Sequence, residues 1–482
     1  MMNEKWEEQF REQIHEFVGT IEKFDKGEID RKAYKGISGG FGSYAQRDPS
    51  KHMLRLRMAG GNLTEKRLEF LTEAVRDYGV ELMKLTTCET VQLHNLKAEQ
   101  VPVLMEKAIA SEIYSRGGGG DNPRNIMMSP LSGVQKGEAF DVKPYAEAAA
   151  EYLLSIAGEI HMPRKLKVAF CNGADDTVHS AFRDMGFMAN LDGTFTLRIA
   201  GGLGGGYKMG VLVDEHVPAT EILYYIRAMI ETFCQHGNYE NRAKARTRFM
   251  QETLGVDGLK AAFLENVAKM KEKGGLDLHV TAKPVTKKGS GEIVDKRVVA
   301  QKQTGLYAVA YHPIGGCLPA GKPAELLTLV REIPDAECRI APHETIYIIN
   351  LTADEAEKVL EVTNDGAKST FENSVACIGA AICQQGVRDS QAALRAAVEA
   401  VREAKIPETY FGYKVHALVT LEGYSRGSVF PDARPAVPDT RRPPSVSRVR
   451  QRPLTESRSP RLRCLWAEVI SWVPQSSARP EL

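Results

Sequence analysis

Two cysteines, Cys377 and Cys383, stand six positions apart in the small-residue stretch ACIGAAIC. Thiolates with such spacing bind zinc or an iron–sulfur cluster, but unmodified cysteines are also among the most buried residues of protein cores. The spacing alone leaves these three interpretations open. Eight cysteines spread over 482 residues are not typical of a disulfide framework, so a reducing compartment is favoured.

Basic residues form a second group that could do chemistry. Arg55 and Arg57 in LRLRM are two positions apart, so a strand would direct both side chains to the same face. Lys165 and Lys167 repeat this spacing before the strand-like KVAF, and Arg124 follows a glycine run. One such pair is typical of the solvated face of a sheet. Several such pairs near the landmarks of the repeat described next make that interpretation less favoured, and a functional site stays open as the alternative.

An internal repeat supplies the elements that would position these residues. The segment Met58–Leu96 aligns without a gap on Pro313–Leu351, 255 positions later, and the dipeptides Gly-Gly, Glu-Thr and Asn-Leu recur in register. Each copy predicts a strand, a Gly-Gly turn, a helix, a second strand and a further helix, which is a ferredoxin-like pattern. The duplication predicts a pseudo-twofold assembly with a site between its halves.

The predicted fold class is α+β, with duplicated ferredoxin-like half-domains and two α/β modules. The stretch 3–27 carries apolar residues at helical spacing and predicts a helix packed on the body. The predicted division is an N-terminal helical segment (1–45), half-domain 1 (46–116), module 1 (117–280), a linker (281–299), half-domain 2 (300–365), the start of module 2 (366–414) and a tail (415–482).

Composition restricts the location and the partners. Apolar residues make up 43% and charged residues 26% of the chain, as in soluble globular proteins. The N-terminal MMNEKWEEQF lacks the apolar core of a secretory signal, so we expect a cytoplasmic protein without membrane contact. The basic run NRAKARTRF has no interleaved aromatic residues that could stack on bases; it predicts a helix surface, and we expect no nucleic-acid partner.

The last part of the chain differs in composition from the rest. Residues 415–482 hold 11 arginines, no lysine and nine of the 23 prolines. Such a segment is typical of a disordered tail. Because lysine disappears where arginine and proline increase, a shifted reading frame or a chimaeric end is the sharper hypothesis.

Several ordered motifs resemble one family over roughly residues 40 to 413. They are LRLRMAGG, TTCETVQLHN, GGDNPRNI, SPLSG, MPRKLK, AGGLGGG, NRAKARTRF, the second ferredoxin-like copy and ACIGAAIC. The chain resembles the nitrite/sulfite reductases that contain siroheme and a [4Fe–4S] cluster. The resemblance implies six-electron reduction of sulfite to sulfide or of nitrite to ammonia, with a ferredoxin or a flavoprotein as electron donor.

The resemblance also implies roles for individual residues. The catalytic cations that contact siroheme or substrate are Arg57, Arg124, Lys165 and Lys167; further siroheme contacts are Arg55, Gln92, His94 and Asn125; the first two cluster ligands are Cys377 and Cys383. A lysine at position 167 tilts the expected substrate toward sulfite.

The chain departs from the family's pattern at two places. Cys88 stands in TTCE where the family has an arginine that binds siroheme carboxylates. The second pair of cluster ligands, C-x3-C, is missing after KVH, and downstream only Cys464 remains. An inactive truncated or frameshifted reductase, at most an anion- or siroheme-binding scaffold, is therefore the alternative. A zinc site at Cys377 and Cys383 is a weaker one.

Overall fold

The structure is a computed structural model that describes residues 2–204 and 206–405. The predicted tail, 415–482, and the end of the predicted second module lie outside these residues. Within the described ranges, no helix is both long and apolar enough to cross a membrane.

The N-terminal part of the chain builds a five-stranded sheet with helices against one face. In chain order its elements are α1 Met2–Asp25, α2 Arg31–Ser38, β1 Ser43–Ala45, β2 His52–Arg55, β3 Asn62–Leu63, α3 Glu65–Tyr78, β4 Leu82–Thr86, β5 Thr90–Leu96 and α4 Gln100–Ala110. The sheet order is β1-β2-β5-β4, with all neighbours antiparallel. Apolar residues of α1 recur at Phe10, Ile14, Phe17 and Ile21, and this stripe packs into the same core as α3 and α4.

The second copy repeats this arrangement. Its elements are β11 Val298–Ala300, β12 Tyr307–Tyr311, β13 Cys317–Leu318, α9 Lys322–Glu332, β14 Glu337–Ile340, β15 Ile346–Leu351 and α10 Ala353–Val362, in the sheet order β11-β12-β15-β14. The repeat extends to the backbone conformation, because Glu89 and Glu344 have φ of 55° and 62°, and Asn95 and Asn350 have φ of 60° and 65°. These are left-handed conformations at matching positions of both halves.

The two halves exchange their shortest strands. β13 of the second copy pairs with β4, Cys317 opposite Lys84, while β3 of the first copy pairs with β14, Asn62 opposite Arg339. Each sheet thereby gains its fifth strand from the other half. One apolar core contains residues of both copies, so the duplicated half-domains form a single pseudo-twofold body.

A second sheet-and-helix module lies between the copies in sequence. It contains β6 Met127–Met128, α5 Lys143–Ser155, β7 Val168–Cys171, β8 Met185–Ala189, β9 Thr194–Ile199, β10 Val211–Pro218, α6 Ile222–His236, α7 Met250–Thr253 and α8 Gly255–Lys273. β6, β7 and β8 are parallel neighbours and β8, β9 and β10 antiparallel ones, around a separate apolar core. The fold class is therefore the predicted one.

One local prediction in this module is wrong. The run NRAKARTRF does not lie on an α-helix surface; it forms two short 3-10 turns, Arg242–Lys244 and Thr247–Phe249. Between them, Arg246 reaches inward to the fully buried Asp184, at 2.8 Å from its Oδ2.

The last described helix is α11 Ser390–Glu403, which follows the two-cysteine loop. The predicted domain boundaries stay a prediction. Strand β1 begins a few residues before the predicted start of half-domain 1, and β11 begins a few residues before the predicted start of half-domain 2.

Candidate functional site

The turn between β4 and β5 carries Cys88 in a fixed position. The Glu89 N–H donates to the Thr86 carbonyl at 2.9 Å and closes the turn. Asn125 donates its amide to the carbonyls of Cys88 at 2.9 Å and Glu89 at 3.2 Å, and its own oxygen accepts from the Met58 N–H. Asn125 was predicted as a siroheme contact, but its described bonds hold the backbone of this turn.

Three arginines surround the glycine loop 117–120. Arg55 donates to the Gly118 carbonyl at 3.0 Å, and Arg124 donates to the carbonyls of Gly117 at 3.1 Å and Gly120 at 2.8 Å. A side chain at position 117, where φ is +67°, would place its Cβ 2.8 Å from the Arg57 guanidinium, so glycine is required there.

Arg57 is the most enclosed of these cations. It is 3% exposed, donates to the carbonyls of Arg116 and Arg124, and has a buried Nε without a hydrogen-bond partner. Burial, together with the charges of Arg124 and Arg116, lowers the pKa of Arg57 to about 9. Its bonds go to neutral carbonyl oxygens, so its positive charge is solvated without being neutralised.

The two lysines approach from the other module. Lys165 and Lys167 precede β7 and flank Leu166, which pairs in parallel with Pro123. The backbone N–H of Lys167 donates to Asp184 Oδ2 at 2.8 Å. Burial and the nearby Lys167 lower the pKa of Lys165 well below its usual value, because both disfavour a second ammonium group.

Gln92 links the strand β5 to this group. With its amide oxygen toward Arg55, Gln92 accepts from that guanidinium at 2.8 and 2.9 Å and donates to His94 Nε2 at 3.2 Å. Burial and the charges of Arg55 and Lys84 lower the pKa of His94 to about 3, so the imidazole is neutral. His94 itself stands behind Gln92 and supports it.

These side chains converge on one cavity of about 170 Å³ between the first half-domain and the module. The residues that line this cavity include five cations and no carboxylate. The full lining is Arg55, Leu56, Arg57, Thr86, Thr87, Cys88, Thr90, Gln92, Gly118, Arg124, Asn125, Lys165 and Lys167. Seven of the eight residues that were predicted to contact siroheme or substrate thus line one cavity. An uncompensated cationic cavity is suited to a small oxyanion or to the carboxylates of a larger ligand.

The structure adds two residues that the sequence did not assign to the site. Arg183, 7% exposed, lies behind the cavity, and its positive charge lowers the pKa of the Cys88 thiol. Cys88, which was predicted only as the replacement of an arginine, also contributes a thiol to the cavity. No sequence pattern pointed to Arg183, which reaches the site only through the pairing of β7 with β8.

Cys377 and Cys383 do not line this cavity. Arg47 donates to the Cys383 carbonyl at 3.3 Å, and Gln391 joins the carbonyls of Cys377 at 3.1 Å and Gly315 at 3.0 Å. The cysteine loop therefore bridges the two half-domains. Within residues 2–204 and 206–405, no three His, Cys, Asp or Glu side chains are grouped as metal ligands. Two thiolates are half of what a four-iron cluster takes.

The structure is thus a duplicated ferredoxin-like body with a cationic cavity against an α/β module, and comparison with known proteins shows which domains it resembles. The nitrite/sulfite reductase ferredoxin-like half domain matches residues 44–111, and the nitrite and sulphite reductase 4Fe-4S domain matches residues 119–271. Both matches are to domains of nitrite and sulfite reductases, and together with the relatives below they support the nitrite/sulfite reductase family for this chain. These matches support siroheme and a [4Fe–4S] cluster as the family's cofactors.

Curated relatives are distant and longer. The chain is 27% identical to the chloroplastic ferredoxin–nitrite reductase of Arabidopsis thaliana, over 74% of this chain and 63% of that protein. It is 25% identical to the assimilatory ferredoxin-dependent nitrite reductase of Haloferax mediterranei, over 78% and 69%. Identity to sulfite reductase [ferredoxin] 1 of Mycolicibacterium paratuberculosis is 23%, over 69% and 60%.

A solved structure shares the fold. The Mycobacterium tuberculosis NirA protein superposes with a TM-score of 0.68 at 21% identity, covering 86% of this chain and 79% of that one. At this identity the likeness concerns the fold alone.

Proposed function

We propose that this chain binds siroheme at the cationic cavity and reduces sulfite or nitrite there with electrons from a ferredoxin or a flavoprotein. The observation that carries the proposal is the cavity itself, where five cations meet without a lining carboxylate. Siroheme carries many carboxylates and the substrates are anions, so both ligands supply the charge that the cavity lacks.

The arginines act as fixed positive charges. Arg57 and Arg124 are held by backbone carbonyls, so their guanidinium groups need little reorganisation when an anion enters. Arg55 and Gln92 form one hydrogen-bonded unit at the rim, with His94 behind it, and would face the cofactor's edge. Asn125 contributes by holding the Cys88 turn.

The lysines are the proton donors in this proposal. Siroheme, when bound, supplies an iron that takes the substrate and passes electrons to it. Each oxygen that leaves as water needs two protons, and Lys165 and Lys167 hold protons at Nζ inside the cavity. Burial lowers the pKa of Lys165 and so brings it closer to neutral pH, where a general acid is most efficient.

The choice of substrate and donor is part of the proposal. The relatives named above include ferredoxin-dependent nitrite reductases and a ferredoxin-dependent sulfite reductase, which supports a ferredoxin donor and either anion. Lys167 is the residue on which the expected preference for sulfite rests.

Cys377 and Cys383 are proposed as two thiolate ligands of the cluster. The described residues supply no third ligand beside them, so a four-iron cluster does not fit this part of the chain. This observation favours a second candidate function, in which the chain is an inactive scaffold that binds siroheme or an anion. The two candidates differ in iron content.

The test is an ultraviolet–visible spectrum with iron and acid-labile sulfide assays on the full chain, produced anaerobically in a host that makes siroheme. The reductase proposal expects siroheme bands together with about four non-haem irons per chain. Siroheme bands without non-haem iron would select the scaffold. A colourless protein that binds neither siroheme nor sulfite would refute both.

A matched pair of variants tests the cavity. R124M removes one cation from the cavity, whereas R331M removes a cation from an exposed ion pair with Glu65. We expect R124M to weaken sulfite binding about tenfold, or about 1.4 kcal/mol, and R331M to leave it unchanged. Equal affinities in the two variants would mean that the anion binds elsewhere.

A further inference from the structure

Cys88 is the one acidic group among the residues that line the cationic cavity. Its thiol is half-buried, and it lies on the turn that Asn125 and the Glu89 N–H hold in place. Lys167 lines the same cavity, and the positive charge of its ammonium group favours the thiolate form of Cys88. The thiol is therefore fixed, paired with a cation and open to a cavity that small molecules can enter.

The charges around Cys88 come from every side of the cavity. Lys165 and Lys167 approach from the segment before β7, Arg183 from the segment before β8, and Arg124 from the loop before β6. The neighbouring Glu89 is a nearby carboxyl group, and burial raises its pKa, which favours its neutral form. A thiolate at Cys88 thus faces cations and no carboxylate charge.

Arg57 shows independently that the cavity lacks an anion. This side chain is 3% exposed, its Nε has no partner, and its described bonds go to carbonyl oxygens. A negatively charged ligand in the cavity would neutralise the Arg57 charge, which the described protein groups beside Cys88 leave uncompensated. The cavity therefore attracts anionic reagents toward the thiol.

The other cysteines have different surroundings. Burial raises the pKa of four thiols, those of Cys171, Cys234, Cys317 and Cys338. For Cys88, burial acts in the same direction, but Lys167, Arg183 and Lys165 outweigh it and lower the pKa to about 7. About half of the Cys88 side chains are then thiolate at neutral pH.

We propose that Cys88, paired with Lys167, is a covalent modification site for small disulfides that carry carboxylates, such as glutathione-type disulfides. The Cys88 thiolate attacks one sulfur, a new S–S bond forms, and the other half leaves as a thiolate with the electron pair of the broken S–S bond. The disulfide is the oxidant, and an added thiol reverses the step. The attached group fills the cavity and places its carboxylates on the cations, which closes the site to other anions.

The expected rates follow from ionisation and charge. A thiol with an ordinary pKa near 8.5 is about 3% ionised at pH 7, so Cys88 has about 15-fold more thiolate. The lower basicity reduces the nucleophilicity of each thiolate by about fivefold, leaving about a threefold advantage toward a neutral disulfide. Toward a dianionic disulfide, attraction by the cavity adds about another tenfold at low salt.

The experiment measures thiol release from two disulfides, dithiobis(nitrobenzoate), which carries two carboxylates, and neutral dithiodipyridine, on the full chain at pH 7. Mass spectrometry locates the modified cysteine. We expect one fast thiol, mapped to Cys88, that prefers the dianionic reagent and slows with salt. C88S removes this phase. K167Q slows the dianionic reagent by at least tenfold but the neutral one by about threefold.

The matched control is C234S, which removes a half-buried thiol outside the cavity and leaves the fast phase unchanged. A fast phase that survives in C88S, or that maps to Cys377 or Cys383, overturns the proposal. Equal slowing of both reagents by K167Q overturns the role of the lysine. These readouts need neither bound cofactor nor reductase activity, so failure of the reductase proposal leaves this test intact.

Discussion

A buried ion pair joins the two half-domains, and its removal should destabilise the protein in a pH-dependent way. Lys84 on β4 donates to the Glu344 carboxyl group and to the Leu85 carbonyl, and both ionisable residues are at most 5% exposed. Burial raises the pKa of Glu344 to about 7, although Lys84 opposes that rise. The carboxyl group is thus mostly protonated at pH 6 and mostly ionised at pH 8.

The sign of the pH dependence follows from proton binding. The folded state holds the Glu344 proton more tightly than the unfolded state, so this group's contribution to the free energy of unfolding falls as the pH rises toward about 7. K84M removes the cation that holds this pKa down and raises it further, so the decline continues above pH 7 at about 1.4 kcal/mol per pH unit.

We therefore expect K84M to cost about 1 to 2 kcal/mol at pH 6, mainly for lost hydrogen bonds, and about 3 kcal/mol at pH 8, where the carboxyl group can no longer ionise beside a cation. Urea unfolding followed by circular dichroism at both pH values measures these costs. E344Q alone is the control, and K84M/E344Q should lose the difference between the two pH values. An equal cost of K84M at pH 6 and pH 8 would refute this account of the pair.

Three further predictions concern single residues. E89Q should keep stability within about 1 kcal/mol, because the neutral amide still accepts from the Met128 N–H, whereas E89A should lose about 1 to 3 kcal/mol in thermal or urea unfolding. C377S should abolish any non-haem iron that the chain binds, while C317S should leave iron content unchanged in the same assay. Nitrite affinity of the chain should fall as the pH rises through about 7, because a Cys88 thiolate opposes an anion, and a titration of C88S should lack that fall.

The duplication could be predicted from the sequence because it repeats residue types at a constant offset. The exchange of β3 and β13 could not, because two-residue strands carry no apolar alternation and pair with a partner more than 200 positions away. Similarly, NRAKARTRF looked amphipathic, but its middle arginine is drawn inward by Asp184, a long-range ion pair that local spacing does not encode.

The grouping of the basic residues around one cavity could be predicted from the motifs, but their hydrogen-bond partners could not. Asn125 lines the cavity, but its described hydrogen bonds are to backbone groups, and His94 stands behind Gln92. A side chain's hydrogen-bond partners depend on tertiary contacts such as the approach of β6 to the Cys88 turn. Position along a motif therefore predicts location better than it predicts chemistry.

The repeat places different side chains at matching positions of the two halves. At the same offset, Arg57 corresponds to His312 and Cys88 to His343. His312 donates to the Ser374 carbonyl at 3.4 Å and accepts from the Thr345 hydroxyl at 3.0 Å, and burial lowers its pKa to about 3.

A neutral, internally bonded imidazole thus stands where the first half has an uncompensated guanidinium. The Lys84–Glu344 pair shows the same contrast, because there a cation of the first half is matched by a carboxyl group of the second. Backbone conformation matches at these positions of the two copies while charge does not, so the two requirements are separable. A variant that places arginine at position 312 would bury a charge among satisfied partners, and should destabilise the fold instead of creating a second anion site.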